Sequence, residues 1–141
     1  MTAKKRQWLW NSLIVLTVIV CLSAFSIHYK NWIKKGPDSI VILSGIYYKK
    51  LRFSEINTVL MVDKIPPMER LNGFSALEKE KGVFREFKDS LTDKKVYVYV
   101  DNLSHQKIKI VYKDSLKLFI NLKDSTKTVQ LHEFLTGKIK N

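Results

Sequence analysis

The chain has 141 residues and a formal net charge of +12, with 25 Lys or Arg against 13 Asp or Glu. Once an apolar N-terminal stretch is set aside, about one hundred residues remain, which is enough for one modest domain and not for two. The single cysteine excludes an intramolecular disulfide.

Residues 8–27 form an apolar stretch without a charged side chain. A bilayer core about 30 Å thick requires roughly 20 helical residues, and backbone groups in lipid must be hydrogen-bonded within the segment. We therefore predict a transmembrane helix over residues 8–27, a basic tail over residues 1–7 and a juxtamembrane linker over residues 28–38. The aromatic residues predicted to lie at the membrane interface are Trp8, Trp10 and Trp32.

Two alternatives to a retained anchor arise from the same stretch. Ala24-Phe25-Ser26 has the small-x-small form of a signal peptidase site, and Cys21 raises the alternative of lipidation. We favour retention because the stretch is longer than the apolar core of a usual signal peptide and is followed by an aromatic residue and lysine pairs.

Basic residues cluster on both sides of the apolar stretch, at Lys4, Lys5, Arg6, Lys30, Lys34 and Lys35. This balance does not decide the orientation. A short charged tail translocates poorly, so we expect the N-terminus in the cytoplasm and the domain outside the membrane of a bacterial cell. Contacts with anionic lipid head groups are predicted for Lys30, Lys34 and Lys35.

Residues 39–141 are predicted to form one mainly β domain. Apolar runs and period-two alternation indicate strands over residues 39–44, 46–53, 56–62, 96–100, 107–112 and 115–121, with two weaker strands over 74–77 and 83–87. Turn residues predict hairpin turns at 101–106 and 113–114, a tight turn at Asn72-Gly73 and a loop around Pro66 and Pro67. We expect about seven short antiparallel strands.

The end of the chain changes to a helical period. Asp124-Ser125-Thr126 offers N-cap side chains and Gly137 a C-cap. The apolar positions recur at three- and four-residue spacing, at Val129, Leu131, Phe134, Leu135 and Ile139. They predict one amphipathic helix of about three turns that caps a bent sheet or partial barrel.

The order of several short motifs resembles the small bacterial pleckstrin-homology-like (PH-like) domains. The motifs are the Phe53-Ser54-Glu55-Ile56 turn, the loop with Pro66, Arg70-Leu71-Asn72-Gly73-Phe74, Gly82-Val83-Phe84 and the VYVYV strand. The resemblance covers about residues 40–138. It implies two roughly orthogonal sheets capped by one helix, and it carries no catalytic chemistry.

No catalytic constellation is predicted. Gly73-Phe74-Ser75-Ala76-Leu77 lacks the second glycine of a nucleophile elbow, and Glu78 and Glu80 lie among basic residues. His28, His105 and His132 have no metal-ligand spacing and are interpreted as solvated. We therefore predict a protein that is not an enzyme and that uses no cofactor and no metal.

Two binding functions are considered. The first is a protein-interaction module whose contact loop contains Pro66, Pro67, Arg70, Asn72 and Gly73. The alternative is a peripheral binder of anionic lipid head groups. Tyrosines beside lysines in the predicted strands also resemble a surface for single-stranded nucleic acid. Such pairs are ordinary neighbours in a sheet, so no nucleic acid partner is predicted. A small-molecule ligand is left open.

Overall fold

The computed structural model describes residues 1–87 and 94–140. In these two ranges the chain forms an N-terminal helix, nine strands in two sheets and a C-terminal helix, which confirms the mainly β class. The described residues form nine strands, instead of the predicted seven or so. The elements are α1 (Ala3–Tyr29), β1 (Trp32–Lys35), β2 (Ser39–Ser44), β3 (Tyr47–Arg52), β4 (Ile56–Val62), β5 (Met68–Ala76), β6 (Lys79–Glu86), β7 (Val96–Val100), β8 (Lys107–Tyr112), β9 (Leu116–Ile120) and α2 (Ser125–Ile139). The predicted domain over residues 39–141 also includes 88–93 and 141, which lie outside the described residues.

Helix α1 has 27 residues, and none of them is buried. The hydroxyl groups of Thr17, Ser23 and Ser26 each donate a hydrogen bond, of 2.8 to 2.9 Å, to the carbonyl four residues earlier. These three hydroxyl groups are thereby satisfied within the helix, as an apolar environment requires. The helix is long and apolar enough to cross a membrane, a property that signal sequences share.

The smaller sheet has the order β1-β2-β3 and is antiparallel throughout. Strand β1 occupies residues that were predicted to be a linker, and α1 also continues two residues into that range. The prediction was wrong because only Ile33 carries an apolar side chain toward the core, whereas its neighbours are Trp32 and two lysines. Pairing with β2, from Trp32↔Leu43 to Lys35↔Ile40, stabilises a strand with little apolar pattern of its own.

The larger sheet has the order β4-β8-β9-β7-β6-β5. Strand β9 lies between β8 and β7 and is parallel to β7, so the predicted hairpin at residues 101–106 is wrong and not every pair is antiparallel. The predicted turn at residues 113–114 is confirmed. Lys113 and Asp114 have left-handed φ angles of 46° and 68°, and they lie in the three-residue turn that joins Tyr112 of β8 to Leu116 of β9.

Strands β5 and β6 are much longer than predicted, and Asn72-Gly73 lies inside β5. Gly73 faces Gly82 across the pair, next to a bulge. A Cβ atom at Gly73 would lie 2.2 Å from the carbonyl oxygen of Lys81, and its φ is 126°. The glycine therefore permits a close approach of two backbones instead of a chain reversal.

One core joins both sheets and α2. Buried apolar side chains of β2, β7, β8 and β9 pack with Leu131 and Leu135 of α2. A second cluster lies on the opposite face of the larger sheet, around Val98 and Phe119, and Ile65 and Met68 pack against it. The chain between β4 and β5 therefore covers this second cluster.

Helix α2 begins as predicted, since the Asp124 side chain accepts a hydrogen bond of 2.9 Å from the Thr126 backbone N–H. Its end was predicted wrongly. Gly137 lies inside the helix, which continues to Ile139 with Lys140 as C-cap and spans 15 residues, about four turns. No positive φ is recorded for Gly137, so it does not form the left-handed cap that glycine favours.

The packing of α2 generates a stability prediction. Leu131 and Leu135 are 2% and 0% exposed. Replacing either by Ala should lower the free energy of unfolding by about 2 to 5 kcal/mol, because it leaves a cavity in the core. Val129→Ala, on the same helix at 44% exposure, is the control and should change it by less than about 1 kcal/mol. Denaturant unfolding in detergent, followed by circular dichroism, measures the difference; equal midpoints would contradict the packing.

Candidate functional site

Asn31 joins α1 to the β domain. Its backbone N–H donates to Asp101 Oδ2 at 2.7 Å. Its side-chain amide donates to the carbonyls of Tyr99 at 2.6 Å and Asn121 at 2.8 Å, and its Oδ1 accepts from the Ser44 hydroxyl at 2.5 Å. Asn31 is buried, and both hydrogens of its amide are used. Asn31, the second residue after α1, is thus held by β2, by β7 with the residue that follows it, and by the segment that follows β9.

The carboxylate that binds Asn31 is itself held by a buried ion pair. Lys81 Nζ lies 3.0 Å from Asp101 Oδ1, and both side chains have no exposed surface. Lys79 Nζ lies 3.8 Å from the same oxygen. Burial lowers the pKa of Lys81, and the negative charge of Asp101 offsets part of that effect. Two lysines therefore neutralise Asp101 where Asn31 meets the domain.

Asn121 fixes the segment between β7 and β8. Its Oδ1 accepts hydrogen bonds from the backbone N–H groups of Asp101 at 2.8 Å and Asn102 at 3.1 Å. Its Nδ2 donates to the carbonyls of Asn102 at 2.6 Å and Gln106 at 3.2 Å. Buried polar atoms that bond in this way specify one arrangement of the chain, because any other leaves them unpaired.

The last turn of α1 contacts two hairpins. The His28 ring makes an edge-to-face contact with Phe74 of β5, with centroids 5.3 Å apart, and it lies beside Gly45 in the turn between β2 and β3. Lys79 Nζ donates to the Tyr29 carbonyl at 2.5 Å. His28 is therefore half-buried and not solvated as predicted. His105 and His132 are also half-buried, and no group of three potential metal ligands occurs in the described part of the chain.

A cavity of about 660 Å³ lies between the end of α1, β1 and the beginning of α2. Its lining combines cationic, aromatic and apolar side chains. The cationic members are Lys30, Lys35, Lys123 and Lys127. Ile33, Leu122 and Leu131 supply apolar surface, and Tyr29 and Trp32 supply aromatic rings.

Three of the four lysines rest on aromatic rings. Lys30 Nζ lies 4.3 Å from the centre of the Trp32 ring. Lys35 Nζ lies 4.6 Å from that of Phe134. Lys123 Nζ lies 3.9 Å from that of Tyr29 and donates to its hydroxyl. These contacts orient the ammonium groups without neutralising them.

The charge of the cavity is positive. Across residues 1–87 and 94–140, none of its four lysines forms an ion pair with a carboxylate. Of its two acidic residues, Asp101 is neutralised by Lys81 and Asp124 caps α2. An anion that enters the cavity would therefore meet unpaired ammonium groups, and a cation would meet repulsion.

The structure divides the predicted lipid contacts. Lys30 and Lys35 line the cavity, whereas Lys34 lies on the outer face of the smaller sheet. Trp32 is on the same outer face as Lys34 and also contributes to the cavity lining. Trp8 and Trp10 are exposed on the first turns of α1. Lys123 and Lys127 were not among the predicted contacts, because they lie almost one hundred residues away from Tyr29 along the chain. No local pattern places the start of α2 beside the end of α1.

The five residues of the predicted partner-binding loop do not all lie in a loop. Pro66 and Pro67 are exposed in a loop beside a cavity of about 250 Å³, but Arg70, Asn72 and Gly73 belong to β5. Arg70 and Asn72 have partners within the chain. Arg70 pairs with Glu80 at 3.2 Å, and Asn72 Oδ1 accepts a hydrogen bond of 2.9 Å from the Tyr47 hydroxyl.

No family model, curated protein or solved structure matches the chain.

The buried ion pair generates a second stability prediction. Lys81→Met should lower the free energy of unfolding by about 3 to 5 kcal/mol, because it removes the closer of the two lysines at the buried carboxylate of Asp101. Lys64→Met removes the same charge at an exposed position and should change it by about 0.5 kcal/mol or less. Guanidinium unfolding of the full chain in detergent measures both. An equal loss of unfolding free energy in the two variants would show that Lys81 does not stabilise the buried charge of Asp101.

Proposed function

We propose that the protein is a single-pass membrane-anchored, non-enzymatic domain that binds the head group of an anionic lipid in the cavity beside α1. The observation that supports this most directly is a set of four lysines next to the end of an apolar helix, none of which has a carboxylate partner within residues 1–87 and 94–140. With α1 in a bilayer, its end at Tyr29 lies at the head-group level, so the cavity opens where lipid phosphates are.

The cavity suits an amphiphilic ligand. Its volume of about 660 Å³ is within the range of small-molecule sites, roughly 300 to 1,000 Å³. Ammonium groups of Lys123 and Lys127 are available to phosphate oxygens, while Ile33 and Leu131 face the less polar part of the ligand. A free soluble anion would use only the basic part of this lining, so a lipid head group is the better match.

The anchor and its orientation are parts of the same proposal. Retention of α1 is supported by its length and by hydroxyl groups that are satisfied within the helix. Placement of the domain outside the membrane of a bacterial cell stays a prediction, which protease digestion of intact spheroplasts tests. Membership of the PH-like family also stays a prediction. Two sheets with a C-terminal helix are compatible with it, and the parallel pair β7 and β9 is a feature that the resemblance did not imply.

Lipid binding is tested by calorimetry. The full chain in neutral detergent is titrated with short-chain phosphatidylglycerol or with phosphatidylcholine of the same length. We expect tighter binding of the anionic lipid. The double variant Lys123→Gln and Lys127→Gln should weaken it more than about tenfold, since each lysine near a lipid surface contributes about 1 kcal/mol.

The matched control removes two charges elsewhere. Lys64→Gln with Lys94→Gln changes the net charge equally, at exposed positions outside the cavity lining. It should leave the affinity close to that of the unchanged chain. Equal weakening in both double variants would mean that net charge alone attracts the lipid, and the cavity would not be the site.

A protein partner at the open edge of β5 is the second candidate function. Strand β5 has nine residues and ends the larger sheet, so one edge of its backbone has no strand neighbour among the described residues. Leu71 on this strand is 45% exposed. An open edge of this length can accept an added strand. A photo-crosslinking residue at Leu71 should then capture a protein in intact cells, whereas the same residue at Ser115 should not; equal capture at both would contradict edge pairing.

A further inference from the structure

The outer face of the smaller sheet carries a row of exposed apolar side chains at its α1 end. Trp32 of β1 pairs with Leu43 of β2, and Leu43 pairs with Tyr48 of β3. Residues opposite each other point to the same face, so the three side chains lie side by side across the sheet. Their exposed fractions are 48%, 38% and 65%. Lys30 Nζ contacts the Trp32 ring, and all three side chains keep more than a third of their surface exposed.

Two hairpin turns add the most exposed apolar side chains. Among the described residues after α1, Leu77 and Ile46 have the largest exposed fractions of any large hydrophobic residue, 100% and 76%. Ile46 lies in the turn between β2 and β3, and Leu77 in the turn between β5 and β6. We call Trp32, Leu43, Ile46, Tyr48 and Leu77 the apolar rim.

Leu77 also has an unusual backbone. Its φ is 55°, a left-handed value that a bulky side chain adopts only at a cost. Glycine would relieve this strain, as Gly45 does with a φ of 60° in the turn between β2 and β3. The folded domain alone does not explain a leucine that is both strained and fully exposed. We therefore expect the Leu77 side chain to make a contact outside the chain.

Both turns are tied to the last turn of α1. Gly45, next to Ile46, is so close to His28 that a Cβ atom would lie 2.4 Å from the ring nitrogen Nδ1. Phe74 and Lys79, on either side of Leu77, contact His28 and the Tyr29 carbonyl. The apolar rim is therefore continuous with the end of the apolar helix.

A basic row lies next to the apolar row. Lys34 and Lys50 flank Val41 on the same outer face, two residues farther from the α1 end. Two residues along a strand correspond to about 7 Å. In a bilayer, aromatic side chains favour the boundary of the acyl chains, and lysines favour the phosphate layer just outside it. The apolar row and the basic row, about 7 Å apart, have the same order.

We propose that the apolar rim inserts into the interfacial layer of an anionic bilayer and so fixes the domain against the membrane. The inference rests on the proposed anchor and is independent of lipid binding in the cavity. A bilayer is a better occupant than a second copy or another protein, because the rim begins at the end of α1 and has the aromatic and basic order of a membrane interface.

Fluorescence quenching by brominated lipids tests the inference. The full chain is reconstituted in vesicles of phosphatidylcholine and phosphatidylglycerol. The three native tryptophans are replaced by Phe, and one Trp is introduced as Ile46→Trp, Leu77→Trp or Ser115→Trp. Ser115 lies before β9, at the end of the larger sheet opposite to Asn121 and α1, and serves as the control turn. We expect a blue shift and quenching at positions 46 and 77 and neither at position 115.

A fourth sample keeps Trp10 alone and reports on α1. Quenching of Trp10 without quenching at positions 46 and 77 overturns the rim while the anchor stands. No quenching of Trp10 overturns the anchor and the rim together. Equal quenching at 46, 77 and 115 also overturns the rim, because it shows adsorption without a preferred face.

A second variant separates insertion from folding. In a chain whose only tryptophan is introduced as Tyr48→Trp, Ile46→Ser with Leu77→Ser should cause a loss of quenching at position 48 while the unfolding midpoint stays unchanged, since both side chains are exposed. Position 48 lies on the apolar rim and outside the cavity lining. Leu60→Ser, at 49% exposure on β4, is the matched control and should leave the quenching unchanged. Crosslinking of rim positions to a second copy or to a protein, with no lipid quenching, would assign the rim to that partner and overturn the proposal.

Discussion

The arrangement of this protein depends on the hydrogen bonds of Asn31. A flexible linker after α1 would leave the domain free to turn in any direction. Instead, the residue two positions after the helix is buried, and its backbone N–H and side-chain amide bond to Asp101, Tyr99, Asn121 and Ser44. Because the partners come from three parts of the β domain, the helix and the domain share one polar core. The Lys81 ion pair makes that core costly to open.

The cavity and the apolar rim both follow from this joint. It brings the start of α2 beside the end of α1, which places Lys123 over the Tyr29 ring. It also brings the turn at Gly45 against His28. A helix that crosses the membrane would therefore present the basic cavity to the head groups from one side and the apolar rim to the bilayer from another. The proposed lipid site depends on the fold, since its lysines come from distant parts of the chain.

The sequence predicted the elements whose own residues determine them. The strands 39–44, 56–62, 96–100 and 107–112 have the predicted bounds, because their apolar or alternating patterns are local. Strand β1 was missed because its stability comes from pairing with β2. Asn72-Gly73 was predicted to form a turn, whereas it lies inside β5. A glycine serves both in chain reversals and where two backbones approach closely, and the residue types alone do not distinguish the two cases. Lys30 and Lys35 were predicted to lie near the membrane because they follow the apolar stretch closely in the sequence. Lys123 could not be predicted in this way, since only the fold brings it beside Tyr29.

The hydrogen bonds of Asn31 predict that α1 and the β domain move as one rigid unit. Spin labels at Ser12→Cys in α1 and Ser115→Cys in the domain, in a Cys21→Ser background, measure this by double electron–electron resonance in a bilayer. A single narrow distance distribution is expected, and it should broaden in Asn31→Ala, which loses the side-chain bonds to Tyr99, Asn121 and Ser44. A broad distribution in the chain with Asn31 intact would contradict the account, because the domain would then move freely about its anchor.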